Sequence, residues 1–357
     1  MGIVIDTGSA FTKATADTGT PVSFPTVVGR PTQTLPGGQD VYVGDAAWAR
    51  RSFLKINHPV HGGFVQSPDD AVRIWQHAVK DRLGRQPADH PLLLVEPVLH
   101  SSASRESITK LMFDAVGVKA FSMLDSVAAA LASTGRSTGL IVDIGADQVQ
   151  VVAVHNGQTL PRTLRRSEIA GTALTQHLRR LLTDTGHPFT TSAELDVVRD
   201  IKETVCYVAA SPDAPASEKK YTLPDGVEIF LLEAAWRCPE AMFQPLYLGV
   251  ESPGLPDMID QTLTAASTTL TAQLLANIVL VGGSSQFPGL ATRLTSELKK
   301  LRQNATITIT VAPDPRHAAI RGGLTRLKDP TTGWITTADY DKHGPALIHN
   351  VCPTPTT

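Results

Sequence analysis

A chain of 357 residues exceeds the size at which one hydrophobic core keeps growing, so at least two domains are expected. Hydrophobic residues make up 42% and charged ones 18%, and the net charge of −2 comes from interspersed signs, which argues against a nucleic-acid or membrane partner recruited by charge. No run reaches the roughly 18 uninterrupted apolar residues of a membrane span. Cys206, Cys238 and Cys352 lie far apart without metal or redox spacing and read as structural or incidental thiols. The opening Met-Gly-Ile-Val-Ile-Asp lacks the basic segment and apolar length of a signal peptide, and Asp6 stands where a myristoylation signal needs Ser or Thr. A reducing, cytoplasmic setting is expected.

The first short apolar run, Gly2 to Ile5, ends in Asp6-Thr7-Gly8-Ser9. It predicts a buried strand that delivers an Asp to its carboxyl end, with Gly where the backbone must turn tightly. A helix is predicted from Asp69 to Leu83, started by Pro68 and two acids, with Val72, Trp75, Ala78, Val79 and Leu83 on one face. A strand over Leu92 to Val95 and a helical stripe of Ile108, Leu111, Met112 and Ala115 follow. The run Leu140 to Val142 then repeats the first device, ending in Asp143-Ile144-Gly145. Gln148 to Val154 reads as its partner strand, closed by Asn156-Gly157, a type I′ hairpin signal, so each half starts with a hairpin. Further helical stripes are Leu174, Leu178 and Leu181, then Val198, Ile201 and Val205, then Leu290, Leu294 and Leu298. Strands over Asn277 to Val281 and Thr306 to Val311 alternate with them, which predicts mixed α/β layers.

Gly8 and Ser9 follow a strand, so their backbone N–H groups can turn toward phosphate oxygens, and Lys13 can neutralise the charge. The turn at Gly145 offers the same grip, while Asp6 and Asp143 can hold a hydrated Mg²⁺. A lone Asp-x-Gly is more often an ordinary turn than a ligand site; the pairing in two halves is what points to a ligand. Gly282-Gly283-Ser284-Ser285, between an apolar strand and a helix expected near Pro288, reads as a close-approach site for a phosphate or a nucleoside, or as a plain tight turn. Asp-Thr-Gly-Ser also marks aspartic proteases. Asp6 leaves no room for the strands preceding that catalytic loop, Ile144 stands where a hydroxyl is needed, and the chain is rich in helices where those proteases are nearly all β.

Longer stretches resemble actin. Phe24 to Pro31 and Tyr42-Val43-Gly44-Asp45 look like the segments bracketing its DNase-binding loop, and His90 to Glu96 resembles a central strand of the outer domain. Phe189-Thr190-Thr191, Val198 to Glu203 and Cys206 to Ala209 look like the adenine-contacting region. Leu223 to Gly226, Arg237 to Ala241, Trp334-Ile335, Tyr340-Asp341, Gly344-Pro345 and Ile348-His349 continue the likeness over essentially the whole chain.

That resemblance implies an α/β actin-like ATPase fold of two duplicated RNase H-like lobes, split into four subdomains around a nucleotide cleft. The expected divisions are residues 1–25, 59–132 and 319–357 for the outer large subdomain and 26–58 for the outer small one. Residues 133–169 and 251–318 would form the inner large subdomain, and 170–250 the inner small one. It implies phosphate contacts from Gly8, Ser9, Ala10, Lys13, Gly145 and Asp147, and a metal, Mg²⁺ or Ca²⁺, at Asp6 and Asp143. Contacts to the base and ribose of ATP or ADP would come from Gly171, Arg199, Lys202, Glu203, Gly282, Gly283, Ser284 and His317.

Several positions depart from actin. Ala10 replaces a Gly, Ala146 an Asp, and His317 a Lys; Asp125 and Gln150 stand where actin positions its attacking water with Gln and His. Asp125 reads equally as a helix N-cap or as a general base, the role an acidic residue takes near this place in sugar kinases and bacterial actin homologues. The segment between Arg30 and Tyr42, with its Pro36-Gly37-Gly38 tip, is shorter than actin's loop, and the loop Ser211 to Glu218 is abbreviated. Phe243 to Leu255 is either a filament contact or core. The resemblance implies a cytoplasmic ATP-binding protein that self-associates into filaments and hydrolyses ATP in the polymer, with no regulatory partner identified. The alternatives are a non-polymerising scaffold subunit holding structural ATP and, further off, a sugar-kinase-like phosphotransferase.

Overall fold

The computed structural model describes residues 2–16, 19–33, 39–212 and 217–353; the Pro36-Gly37-Gly38 tip and the middle of the 211–218 loop lie outside them. The chain divides into two units, the first comprising residues 1–137, 154–161 and 317–357, the second 138–153 and 162–316.

In the first unit, Ile3–Thr7 lies parallel to Pro91–Glu96, which lies parallel to Ala120–Asp125. Phe11–Ala16 and Val22–Pro25 extend the sheet antiparallel on one side and Ile335–Thr336 on the other. Side chains alternate between two cores, as a period of two requires. Ile3, Ile5, Leu92 and Leu94 pack with Phe121 and with Ala71, Ile74 and Trp75 of the helix Pro68–Gln76. Val4, Leu93 and Val95 pack on the other face with Ile320 of the helix Ala318–Leu327. Burial on both faces explains why these strands read as unbroken apolar runs.

The helix Ala318–Leu327 approaches the helix Ser126–Ala132 so closely that a Cβ on Gly322 would lie 1.8 Å from the carbonyl oxygen of Ala129. A smaller sheet of Val28–Pro31, Tyr42–Val43 and Leu54–Asn57 has its own core of Val27, Ala47 and Leu54. It is tied to the helix Pro68–Gln76 by Asp70, which accepts from Arg30 Nη1 at 3.0 Å, Arg30 Nη2 at 2.5 Å and Asn57 Nδ2 at 2.6 Å. Burial alone would raise the Asp70 carboxyl; the Arg30 and Asn57 hydrogen bonds hold it below its ordinary value.

The second unit repeats the strand order. Gly139–Ile144 lies parallel to Ile278–Val281, which lies parallel to Ile309–Val311. On its other side come Val149–His155 and then, antiparallel to that strand, Arg165–Ser167. The end of Val149–His155 passes into residues 154–161 of the first unit, where Asn156 and Gly157 turn the hairpin to Gln158–Thr159 with φ of 51° and 78°, as the type I′ reading requires. The helix Gly171–Asp184 buries Leu174, Leu178 and Leu182, and Leu290–Leu301 buries Leu290, Leu294 and Leu298. Arg293, on the latter helix, donates twice to Glu240 at 3.1 Å and once to Ala209 O at 3.1 Å, a buried charge pair with matched geometry.

Several local expectations are corrected or sharpened. The helix Pro68–Gln76 continues to Arg82 as a π-helix, and Ser102–Leu111 continues as a π-helix over Met112–Val116. The wider π turn rotates the second stripe, so Phe113 and Val116 are buried while Ala115 is exposed. Leu182 rather than Leu181 completes its stripe, four residues after Leu178. The last predicted strand shortens to Ile309–Val311, and the helix expected near Pro288 opens at Leu290 after a 3₁₀ turn over Gly283–Gln286. Within 243–255, Phe243 and Leu255 are core, whereas Leu246 and Val250 are exposed.

Two stability outcomes follow. Gly322→Ala meets backbone and should cost about 1–3 kcal/mol or more, whereas Gly323→Ala meets the Val4 side chain and should cost less; urea midpoints rank them. Arg293→Ala strands the Glu240 carboxylate and should cost about 3–5 kcal/mol, and the pair Glu240→Leu with Arg293→Met should recover most of that loss in the same assay.

Candidate functional site

The chemistry-bearing residues of the first unit lie at the carboxyl ends of its parallel strands, where α/β sheets bind ligands. Gly8 N–H donates to Phe11 O at 3.1 Å, closing the turn after Ile3–Thr7. A Cβ there would stand 2.9 Å from that oxygen, so the turn needs Gly. Ser9 Oγ accepts from Gly63 N at 3.4 Å, Thr26 Oγ1 donates to Gly8 O at 2.7 Å, and Ala10 O accepts from Thr26 N at 2.9 Å. Lys13 faces Asp6 across the hairpin and donates to its Oδ2 at 2.8 Å.

Asp125 ends the strand Ala120–Asp125 and caps the helix Ser126–Ala132, its Oδ1 accepting from Val127 N at 2.9 Å and Ala128 N at 3.0 Å. The N-cap reading is therefore met by one oxygen. Burial pushes this carboxyl up to about 6 against the lowering pull of those N–H groups and of nearby Thr159, and the Glu96 charge adds to the rise.

The second unit carries the same turn. Gly145 N–H donates to Gln148 O at 3.0 Å, and a Cβ on Gly145 would stand 3.2 Å from that oxygen. Gly145 O accepts from Gly171 N at 3.1 Å and Ser284 Oγ at 3.4 Å, while Ala146 O accepts from Thr172 N at 2.7 Å. Asp147 Oδ1 accepts from Thr172 Oγ1 at 2.9 Å. Gly282, at φ 87°, brings its backbone against Asp143: a Cβ would lie 2.5 Å from Asp143 Oδ1. The turns at 143–147, 171–172 and 282–284 thus converge into one glycine-lined cradle.

Beside the cradle, Lys202 is only 5% exposed and donates to Gly171 O at 2.8 Å and Thr175 Oγ1 at 2.9 Å; burial lowers its affinity for a proton. Its ammonium acts on the cradle through the Gly171 carbonyl. Arg199 pairs with Asp196 at 3.4 Å on its own helix. Glu203 pairs with Arg316 Nη2 at 2.7 Å, and Arg316 also lies against Gly283. Arg316 carries no motif and was invisible to sequence reasoning, which singled out the adjacent His317; His317 holds the N-cap position of the helix Ala318–Leu327 without a capping bond. Cys206 and Cys238 meet in this buried region. A hydrogen bond between the thiols, together with burial, pushes Cys206 well above its ordinary value, in keeping with structural thiols. Gln150 is 8% exposed, opposite Arg166 in register, and its Oε1 has no hydrogen-bond partner among the described residues.

The donor set fits a nucleotide and a hard cation. Glycine turns admit phosphate oxygens to the backbone, and Asp6 and Asp143 occupy equivalent strand ends with oxygen ligands suited to Mg²⁺. Among the described residues no group of three or more His, Cys, Asp or Glu side chains is arranged to hold a metal ion by itself. Among the described residues no helix is long and apolar enough to cross a membrane.

A family model described as Actin matches residues 1–353 of the 357-residue chain. Proteins of this fold generally bind a nucleotide together with a divalent metal. The match takes in both units, and with its actin-like ATPase fold the chain belongs to the actin family.

Proposed function

We propose that this protein binds Mg-ATP, assembles into nucleotide-dependent filaments and hydrolyses ATP slowly within them. The observation that carries the reading is the repeated Asp-x-Gly turn, closed by the same backbone bond in both units, at Gly8 and at Gly145. In the first unit Gly8, Ser9, Ala10 and Lys13 serve phosphate oxygens. In the second, Gly145, Asp147 and Gly171 do so, while Gly282, Gly283, Ser284, Arg199, Glu203 and Arg316 serve the nucleoside end, with Lys202 fixing Gly171 from behind. His317 stands as a further contact at that end. Asp6 and Asp143 would hold Mg²⁺, which when bound neutralises phosphate charge as it develops.

Asp125 is the proposed general base. Its carboxylate takes a proton from water as the water oxygen bonds to the γ-phosphorus and the bond from that phosphorus to the β-phosphate oxygen breaks, releasing ADP. A group that titrates near 6 is ionised at neutral pH yet basic enough to accept that proton. Gln150, with an amide oxygen free of protein partners among the described residues, would orient the water. A bound ligand favours the conformation it contacts best, which would couple ATP to assembly and hydrolysis to disassembly.

One observation favours a second reading, a non-polymerising scaffold with structural ATP: Asp125 already caps a helix with one oxygen, as a purely structural residue would. Sedimentation with Mg-ATP, a nonhydrolysable analogue or no nucleotide, with phosphate followed in the same tubes, separates the two. Nucleotide-dependent pelleting with phosphate release is expected; a soluble ATP-bound species at every concentration would support the scaffold. Asp125→Asn should lower phosphate release about 10²–10⁴-fold while leaving ATP binding intact. In the unaltered protein, release should fall as pH drops through about 6, where the base gains its proton; a flat profile from pH 5 to 8 would remove Asp125 from the chemistry.

A further inference from the structure

Glu96 ends the strand Pro91–Glu96 and is the register partner of Asp125 on the neighbouring parallel strand. Two side chains paired in this way stand on the same side of the sheet, about 5 Å apart at their Cα atoms. Glu96 is only 7% exposed, and its Oε2 accepts from Arg105 Nε at 3.0 Å and meets His100 Nδ1 at 3.3 Å. Arg105, 1% exposed, is itself anchored by donating Nη2 to Cys352 O at 2.7 Å. A buried carboxylate with a dedicated guanidinium is costly to maintain and adds little to stability compared with an apolar pair of similar volume. Its place beside Asp125 supplies a use.

We propose that Glu96, held by Arg105, is a positioning residue whose fixed negative charge keeps Asp125 ready to accept the proton of the attacking water. The proposal rests on reading Asp125 as the base. A carboxylate beside a second carboxyl raises that neighbour's affinity for a proton, and the cation of this cluster, Arg105, is bound to Glu96 rather than to Asp125. Arg105 and His100 stand on the Glu96 side, so the pair is asymmetric in the required sense. The direction of the Asp125 shift agrees, burial being the larger cause and Glu96 a lesser one.

The other groups around Asp125 do not replace this charge. The Val127 and Ala128 N–H groups and Thr159 oppose the rise. Asp6, on the strand Ile3–Thr7 beyond Pro91–Glu96, is paired with Lys13. The helix packed on Ser126–Ala132 brings Arg321, which is exposed, and Arg326, which is paired with Asp329. Asp339, near the edge strand Ile335–Thr336, is engaged in its own capping box.

The test is the pH profile of Mg-ATP-dependent phosphate release by the full-length protein, for the unaltered chain, Glu96→Gln, Glu96→Asp and Asp125→Asn. Glu96→Gln should move the acid limb down by about half to one pH unit and lower the plateau severalfold, since a weaker base takes the proton less readily. Nucleotide affinity and pelleting should be unchanged. Glu96→Asp keeps the charge but withdraws it by one methylene, so it should shift the limb the same way by a smaller step. If Glu96→Gln does not fold, the Glu96→Asp profile alone decides. Limbs and plateaus matching the unaltered protein overturn the proposal while leaving Asp125 as base, provided Asp125→Asn is inactive. An active Asp125→Asn overturns both.

Discussion

A parallel strand buried on both faces has only its ends available for polar chemistry. Ile3, Val4 and Ile5 point alternately into two apolar layers, as do Leu92 to Val95, so nothing along their length can meet water or a charged ligand. Their polar residues gather at the carboxyl ends: Asp6, Glu96 and Asp125 in the first unit, Asp143 in the second. The layered packing thus decides where a site can be, and the glycine turns that close these ends decide what it can hold. At Gly8, Gly145 and Gly282 a Cβ would crowd the carbonyl oxygens of Phe11, Gln148 and Ile144, so glycine is what lets these turns close tightly.

The same constraint explains what was legible in the sequence. An apolar run followed at once by Asp-x-Gly is a local signal, and both such turns form as read. Asn156-Gly157 was equally local, because only residues that tolerate positive φ can make that turn. The family and its α/β fold were legible from extended likeness across the chain, and the family match bears that out. The π turns were not legible: one extra residue per turn shifts which side chains are buried, and no residue type marks where it happens.

Within the candidate site, what escaped sequence reasoning depends on pairing across distance. Glu96 and Asp125 become neighbours only through strand register, Arg316 reaches Glu203 from 113 positions away, and the thiols of Cys206 and Cys238 meet only after helices pack. Lys202 was singled out by the resemblance, but its hydrogen bonds were not legible from the sequence. The resemblance implies a contact with the nucleoside, whereas in the structure the buried ammonium is taken up by the Gly171 carbonyl and the Thr175 hydroxyl.

The way the first unit is threaded through the chain has a consequence for its synthesis. Its sheet begins with Ile3–Thr7, but Ile320, Ile335 and Ile348, all fully buried, belong to the same cores and are made last. The second unit, by contrast, is complete once Arg316 has been translated. On a ribosome, therefore, the amino-terminal strands must wait with apolar faces exposed while the intervening unit is made and can fold. Contacts that span most of the chain are slow to form, and waiting apolar strands are open to aggregation. The order of translation makes the amino-terminal half the vulnerable one until the carboxyl-terminal helices arrive.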